Sequence, residues 1–279
     1  MSAPDPRLLS LNTATTRKQW SLAQAIAGCA RHGIGGIAPW RDQLHAMGIE
    51  PAAHAIRGHG LTVTGLCRGG MFPAADAAGR KRAIDDNLRA IEEAHALAAQ
   101  CLVLVAGGLP QGSKDIAGAR EQVRDGIAAI LPHARKAGVP LAVEPLHPMC
   151  AADRSCINTL GQALDLCDAL DPRHQGLGVA VDVYHVWWDP QLEHQIERAG
   201  NSRLLAFHIC DWLVPTRDLL NDRGMMGDGI IDLPGIRSWL QRAGYNGFHE
   251  VEIFSELDWW RRDPDQVLQI CKERHRQFC

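Results

Sequence analysis

A chain of 279 residues with 46% hydrophobic and 22% charged side chains can enclose a sizeable core without disulfide or metal staples. A formal net charge of -3 gives no electrostatic reason to bind nucleic acid or an anionic membrane, and no stretch has the apolar length of a membrane span. Nine scattered cysteines without paired metal-knuckle spacing, and a start lacking the features of a secretory signal, point to a reducing cytoplasm.

Strand and helix signals alternate along the chain. Leu8 to Thr13 reads as a first strand, with Thr15 or Thr16 capping a helix from Leu22 to Arg31. Ile34 to Pro39 is a second strand with Trp40 just beyond it, followed by helical material through Leu44 and from Pro51 to Arg57. Leu61 to Leu66 alternates as a third strand, and Cys67-Arg68-Gly69-Gly70 opens a loop. A helix from Ala78 to Ala98 shows Ile84, Leu88, Ile91, Ala94 and Leu97 on one face. Cys101 to Val105 is a continuous apolar strand of the buried parallel type, closed by Gly107-Gly108. Lys114 to Lys136 is again an amphipathic helix, and Leu141 to Val143 a short strand that ends on Glu144. Leu160 to Leu170 (helix), Leu177 to Val183 (strand), the region around Leu192 to Ala199 (helix) and Leu204 to Ile209 (strand) continue the alternation. A helix from Leu233 to Gly244, a strand from His249 to Phe254 and a helix from Pro264 to about Arg276 complete it. Eight strands separated by helices predict an α/β fold of the (β/α)8 TIM-barrel type rather than a doubly wound sheet of roughly five or six strands. With no linker or repeat, residues 1–279 are expected to form one barrel domain.

A barrel's reactive side chains come from the C-terminal ends of its strands. Glu144 in PLAVEPLH, Asp182 in AVDVYH, His208 in LLAFHICD and Glu252 in FHEVEIF stand at or near the ends of four successive strands. A carboxylate after an apolar run is paired, hydrogen-bonded or metal-bound, because leaving it bare costs several kcal/mol. Three converging carboxylates raise each other's pKa, and a divalent cation removes that repulsion. The oxygen-rich set suits Mn²⁺ or Mg²⁺, and the histidine admits Co²⁺ or Zn²⁺. Ordinary alternatives stand beside each residue: an arginine partner for Glu144, a helix cap for Asp182, a core position for His208. Glu250 rivals Glu252 because two-residue parity puts both on one strand face.

Arg68, between Cys67 and two glycines at a strand end, reads as a substrate contact. Arg154 and Arg217 are further contacts or, for Arg217, one half of a surface ion pair; Lys114 anchors an anion or starts a helix. Trp40, Trp187 and Trp212 are placed towards a pocket, where indole faces cover sugar rings. Trp188, Trp259 and Trp260 divide between that role and packing of the rim or a subunit interface. No glycine-rich phosphate cradle follows a strand, so a phosphorylated substrate is not implied.

These motifs, from LSLNTATT to VEIF, resemble the xylose isomerase-like barrel superfamily. The likeness is to its sugar-phosphate isomerase/epimerase-like branch, which includes tagatose 3-epimerase, inosose isomerase and inosose dehydratase. The resemblance implies one divalent ion, Mn²⁺ foremost, held by Glu144 in VEPLHP, Asp182 in VDVYH, His208 in FHICD and Glu252 in VEIF. It implies that Glu144 and Glu252 exchange the substrate proton and that His185 of Asp182-x-x-His185 stands on the substrate side. Arg223, in the glycine-rich stretch from Asp222 to Leu233, is expected to touch substrate. The activity implied is a metal-dependent isomerase or epimerase of a free sugar or polyhydroxy ketone, abstracting a proton next to the carbonyl through a metal-stabilised enediolate. The alternative is a lyase, an inosose-type dehydratase or a sugar-acid dehydratase or decarboxylase, using the same enediolate. Its acid would be His147, which is also expected to contact substrate, or Asp211 or Asp228. A homodimer or homotetramer is implied as well. The endonuclease IV branch is excluded: Cys67-Arg68 and Gly107-Gly108 stand where its extra histidine ligands belong, and the late loop lacks an Asp-x-His pair. True xylose isomerases are longer and hold a second metal with carboxylates that are missing here.

Overall fold

The computed structural model describes residues 4–279. In chain order the elements are β1 (Leu9–Asn12), α1 (Leu22–His32), β2 (Gly36–Ala38), α2 (Arg41–Met47), α3 (Ile49–Gly58), β3 (Thr62–Val63), β4 (Leu66–Gly70) and α4 (Ala77–Ala96). There follow β5 (Leu102–Val105), α5 (Ile116–Ala137), β6 (Leu141–Glu144), α6 (Leu160–Leu170), β7 (Leu177–Asp182), α7 (Val183–Val186), α8 (Leu192–Arg203) and β8 (Leu204–Ile209). The last are β9 (Asp211–Trp212), β10 (Arg223–Gly224), α9 (Leu233–Arg242), β11 (His249–Val251) and α10 (Pro264–Phe278).

The main sheet is parallel throughout, in the order β3-β2-β1-β11-β8-β7-β6-β5-β4. Its two ends, β3 and β4, are separated only by Thr64 and Gly65, so together they make one interrupted stave. Backbone bonds from Thr64 N–H to Ile37 O and from Cys67 N–H to Pro39 O, both 3.0 Å, carry that stave along β2. The nine strands therefore form an eight-stave ring, the expected barrel. β9 and β10 form a separate antiparallel pair at the rim.

Strands β5, β6 and β7 are buried at every position, as parallel strands between a lumen and a helical layer must be. One face packs on the helices in the main apolar core. The other fills the lumen with Cys67, Cys101, Val103, Ala142, Ala180 and Ala206. Because side chains repeat every two residues along a strand, the inward positions one layer above Ala142, Ala180 and Ala206 are Glu144, Asp182 and His208. Small apolar residues thus floor a polar layer at the C-terminal mouth.

Two local expectations differ from the structure. Ser21, not Thr15 or Thr16, caps α1, because Ser21 and Gln24 form a capping box. Thr15 instead ties the segment after β1 to the end of the neighbouring stave β11, its hydroxyl donating to Val251 O and accepting from Ile253 N–H. Cys67 to Gly70 lie in β4 rather than in a loop. Gly70 has φ +100°, and a Cβ there would meet Val105 O at 1.9 Å, so glycine is what lets the stave continue against β5. The nine cysteines are all buried and free. Among the described residues no helix is long and apolar enough to cross a membrane.

Arg203, only 1% exposed, ties the end of α6 to the start of β7 by donating to Asp171 O and Leu177 O, both at 2.6 Å, and to Cys167 O at 3.2 Å. Arg203→Met leaves those carbonyls and the buried Asp171 carboxylate short of donors. It is expected to lower unfolding free energy by about 3 kcal/mol, read from urea titration.

Candidate metal centre

The four strand-end residues meet at one place. β6, β7, β8 and β11 are neighbouring staves, with Asp182 in register with His208 and Glu250 with His208 on the other side. Glu252 lies one residue past β11 and donates its N–H to Ile209 O, which holds it level with the end of β8. Glu144, Asp182, His208 and Glu252 each turn a ligand atom inward, and these atoms all lie within 4.8 Å of one another. All four are buried, Asp182 and His208 completely.

The donor set fits a divalent cation. His208 Nδ1 lies 2.9 Å from Glu144 Oε1 and 3.7 Å from Glu252 Oε2, yet neither Nδ1 nor Glu144 Oε1 has a hydrogen-bond partner. Buried lone-pair atoms crowded together without hydrogen bonds are what a shared cation satisfies. The other imidazole nitrogen, Nε2, lies 3.4 Å from Glu250 Oε1. Glu250 is itself fixed by Asn12 Nδ2 and the Thr64 hydroxyl, both donating at 2.7 Å. The structure therefore brings Glu252 into the cluster and sets Glu250 behind the histidine, the arrangement that orients metal-bound imidazoles elsewhere.

Arg223 is the counter-charge. Its Nη1 donates to Asp182 Oδ2 at 2.8 Å and to Glu252 Oε2 at 3.2 Å, and its guanidinium lies over the rings of Tyr184 and Phe254 at 4.5 and 5.2 Å. Burial opposes the charge of Asp182, but Arg223, His185 and His208 together hold its carboxyl well below the usual range. Burial pushes Glu252 the other way, above that range, with Asp182 and Glu144 adding repulsion that Arg223 and His208 do not cancel. Burial also opposes the imidazolium of His208, yet Glu250, Glu144 and Glu252 hold its pKa well above the ordinary value. His185 is pushed down to about 3, chiefly by burial. Donors approach both its nitrogens, His147 N–H at Nδ1 and Arg223 Nη2 at Nε2, each at 3.2 Å, and the Asp182 carboxylate 3.6 Å from Nε2 does not offset the burial.

A cavity of about 710 Å³ opens over the cluster. Glu144 and Glu252 reach its wall with His185, Arg223, Arg68 and Trp40, whereas Asp182 and His208 lie deeper. Trp40 is anchored by its indole N–H to Asn12 Oδ1 at 2.8 Å and packs edge-on against Phe254. Arg154 and Trp260 stand at the same wall. Other expected contacts lie elsewhere. His147 and Trp212 stack at 5.0 Å, and Trp187, Trp188 and Tyr184 join them in an aromatic cluster, of which only Tyr184 reaches the cavity. Apolar area was thus better buried among rings than left for a ligand. Arg217 pairs with Asp222 and braces its own loop outside the cavity. Asp211 accepts from the N–H groups of Gly227, Gly229 and Ile231, and Asp228 pairs with Arg274, so neither faces the site. Lys114 and Trp259 do not line it either. Sequence reasoning missed Tyr184, whose one signal was its place between Asp182 and His185, and Phe254, two residues beyond Glu252.

Residues 26–270 match the sequence profile of the xylose isomerase-like TIM barrel. The chain belongs to that family. Among its relatives, the inosose isomerase of Bacillus velezensis is 24% identical over 281 residues, covering 95% of this chain and 94% of its own. That of Halalkalibacterium halodurans is 24% identical with the same coverage. The crystal structure of protein SMc04130 from Sinorhizobium meliloti shares 62% identity and superposes with a TM-score of 0.96 over 99% of both chains. The IOLI protein, crystallised with a bound zinc atom, shares the barrel at 20% identity, with a TM-score of 0.79 over 95% of each chain.

Replacing Glu252 by Gln removes a charged ligand atom and should abolish stoichiometric Mn²⁺ binding. Glu250→Gln keeps the ligand set and should weaken affinity by only about ten-fold, both read by isothermal titration. In the metal-free protein Glu252 and His208 both favour their protonated forms, and an ion needs neither proton. Metal binding should therefore release protons, with apparent affinity falling as pH drops through about 8. Titrations in buffers of different ionisation enthalpy measure that release.

Proposed function

We propose that this chain is a divalent-metal-dependent isomerase or epimerase of a sugar or related polyhydroxy ketone, working by proton transfer at the carbon next to the carbonyl. The observation that carries the reading is the buried Glu144–Asp182–His208–Glu252 cluster opening, through its two glutamates, onto a cavity of sugar-binding size. The inosose isomerases among the relatives favour the same chemistry. Mn²⁺ suits the oxygen-rich set, with Mg²⁺, Co²⁺ or Zn²⁺ as substitutes. When bound, such an ion polarises the carbonyl and offsets the negative charge that develops on the enediolate.

Glu144 and Glu252 enter the cavity from staves separated by two others, so they approach a bound substrate from different sides. One removes the proton and the other returns it, which inverts a centre or shifts the carbonyl. Arg223 restrains Glu252 through Oε2. His185 stands in the cavity wall beside Arg223, on the substrate side of the cluster. The Trp40 face covers an apolar flank of the substrate, and the buried floor keeps bulk water from the reacting carbon. The acids expected for a dehydratase, His147, Asp211 and Asp228, all lie outside the cavity wall, which offers Asp153 and Glu256 instead. One domain spanning residues 1–279, a cytoplasmic setting and pairing into a dimer or tetramer belong to the same proposal; exposed Val214 and Leu219 offer apolar rim surface for pairing.

Incubating the Mn²⁺-loaded protein with a panel of ketoses and inososes in D₂O should place deuterium next to the carbonyl, seen by NMR. A panel in which no substrate exchanges would sink the enolisation reading, and release of water or carbon dioxide would select the lyase.

A further inference from the structure

The cavity wall carries two arginines without an ion-pair partner. Elsewhere Arg41 lies on Asp86 and Glu93, Arg203 on Asp171, and Arg223 on Asp182 and Glu252, while half-buried Arg80 and Arg120 donate to backbone carbonyls. Arg68 is half-buried in the wall and Arg154 is exposed at it. Neither side chain makes a hydrogen bond or an ion pair among the described residues. Asp153 and Glu256 lie in the same wall without pairing with either guanidinium, and Lys18 adds a third cation over the Trp260 ring. Burial, reinforced by the charge of Arg154, pushes the Arg68 pKa down, so the ligand-free protein holds this charge at a cost. Arg68 belongs to β4, where rigid barrel strand rather than mobile loop sets its position.

A planar guanidinium kept without a partner in a concave site is built for a bidentate oxyanion. We propose that Arg68 and Arg154 form an oxyanion subsite, so that the polyhydroxy ketone taken by this cavity carries a carboxylate or phosphate away from its reacting carbonyl. The inference rests on the carbonyl end of the ligand lying at the Glu144–Glu252 cluster, and it narrows the substrate class from neutral sugars to acidic ones. A neutral sugar leaves both guanidinium groups unsatisfied, while an acidic one replaces the water they lose. The shape of the cavity adds no preference between carboxylate and phosphate, which present the same oxygen pair to Arg68.

The test is equilibrium binding, which needs no turnover. D-Fructose, D-fructuronate and D-fructose 6-phosphate share a C2 ketone and differ only at C6 as hydroxymethyl, carboxylate and phosphate. Calorimetry on the Mn²⁺-loaded protein should show at least one of the two anions binding about ten-fold or more tightly than fructose, a margin that shrinks with added salt. The anion that gains identifies the group. Arg68→Gln and Arg154→Gln should each remove most of that margin while Mn²⁺ affinity and melting temperature stay as in the parent. Equal binding of all three probes, or a margin that survives both substitutions, overturns the subsite. Anion preference without deuterium exchange would keep the subsite and sink the enolisation reading; exchange without preference would do the reverse.

Discussion

Everything in this molecule's chemistry depends on holding three carboxylates and an imidazole together in a place water hardly reaches. Barrel closure creates the problem, because the C-terminal ends of neighbouring staves converge. The two-residue strand period aims Glu144, Asp182 and His208 inward above alanines too small to fill the space. Like charges gathered in a dry lumen repel strongly, and only an opposite charge makes the arrangement tenable. Arg223 supplies part of it from the β10 segment, and the four ligand atoms are close enough together for a divalent cation to supply the rest.

The surroundings divide that work unequally. Burial pushes both carboxyls up, but Arg223 favours Asp182, with the shorter contact, over Glu252, so Asp182 ends below the usual carboxylate range and Glu252 above it. Glu250, one layer down, faces the far side of His208, and its own oxygens are already occupied by Asn12 and Thr64. Asn12 also fixes the Trp40 indole, so a single side chain at the end of β1 links the support of the histidine to the wall that would meet a substrate. Such polar chains are stable only when every member is satisfied. His208 Nδ1 and Glu144 Oε1, which face the centre of the cluster, are among the buried atoms left without partners, as is His208 Nε2 on the Glu250 side.

The cavity is chemically two-sided. Its floor is acidic and backed by Arg223, and its wall carries the unpaired Arg68 and Arg154. A ligand that spans both ends is orientated by charge before any hydroxyl is read, which suits chemistry that must present one particular carbon to two glutamates.

Much of this was legible without coordinates. Eight apolar runs at helix-spaced intervals are enough for a barrel, because a parallel strand buried on both faces leaves a continuous hydrophobic signature. Strand-end position alone singled out Glu144, Asp182, His208 and Glu252, since a titratable residue closing such a run has little reason to be there unless it is used. Parity, however, put Glu250 and Glu252 on one face, and only the height of β11 against β8 decided which joins the cluster. The third strand was legible from Leu61 to Leu66, but its continuation through Cys67 to Gly70 escaped notice because glycines such as Gly70 read as a loop, although pairing with β5 holds them in the sheet. Likewise, composition can say that tryptophans and arginines cluster near strand ends, but not which are spent on each other. Trp187, Trp212 and His147 went to an aromatic stack and Arg217 to Asp222, while Trp40 and Arg68 stayed at the cavity. The sequence by itself determined the barrel and the four inward ligands, because both follow from local periodicity. Tertiary structure decided which polar groups remained free for a ligand, because that depends on partners supplied by distant parts of the chain.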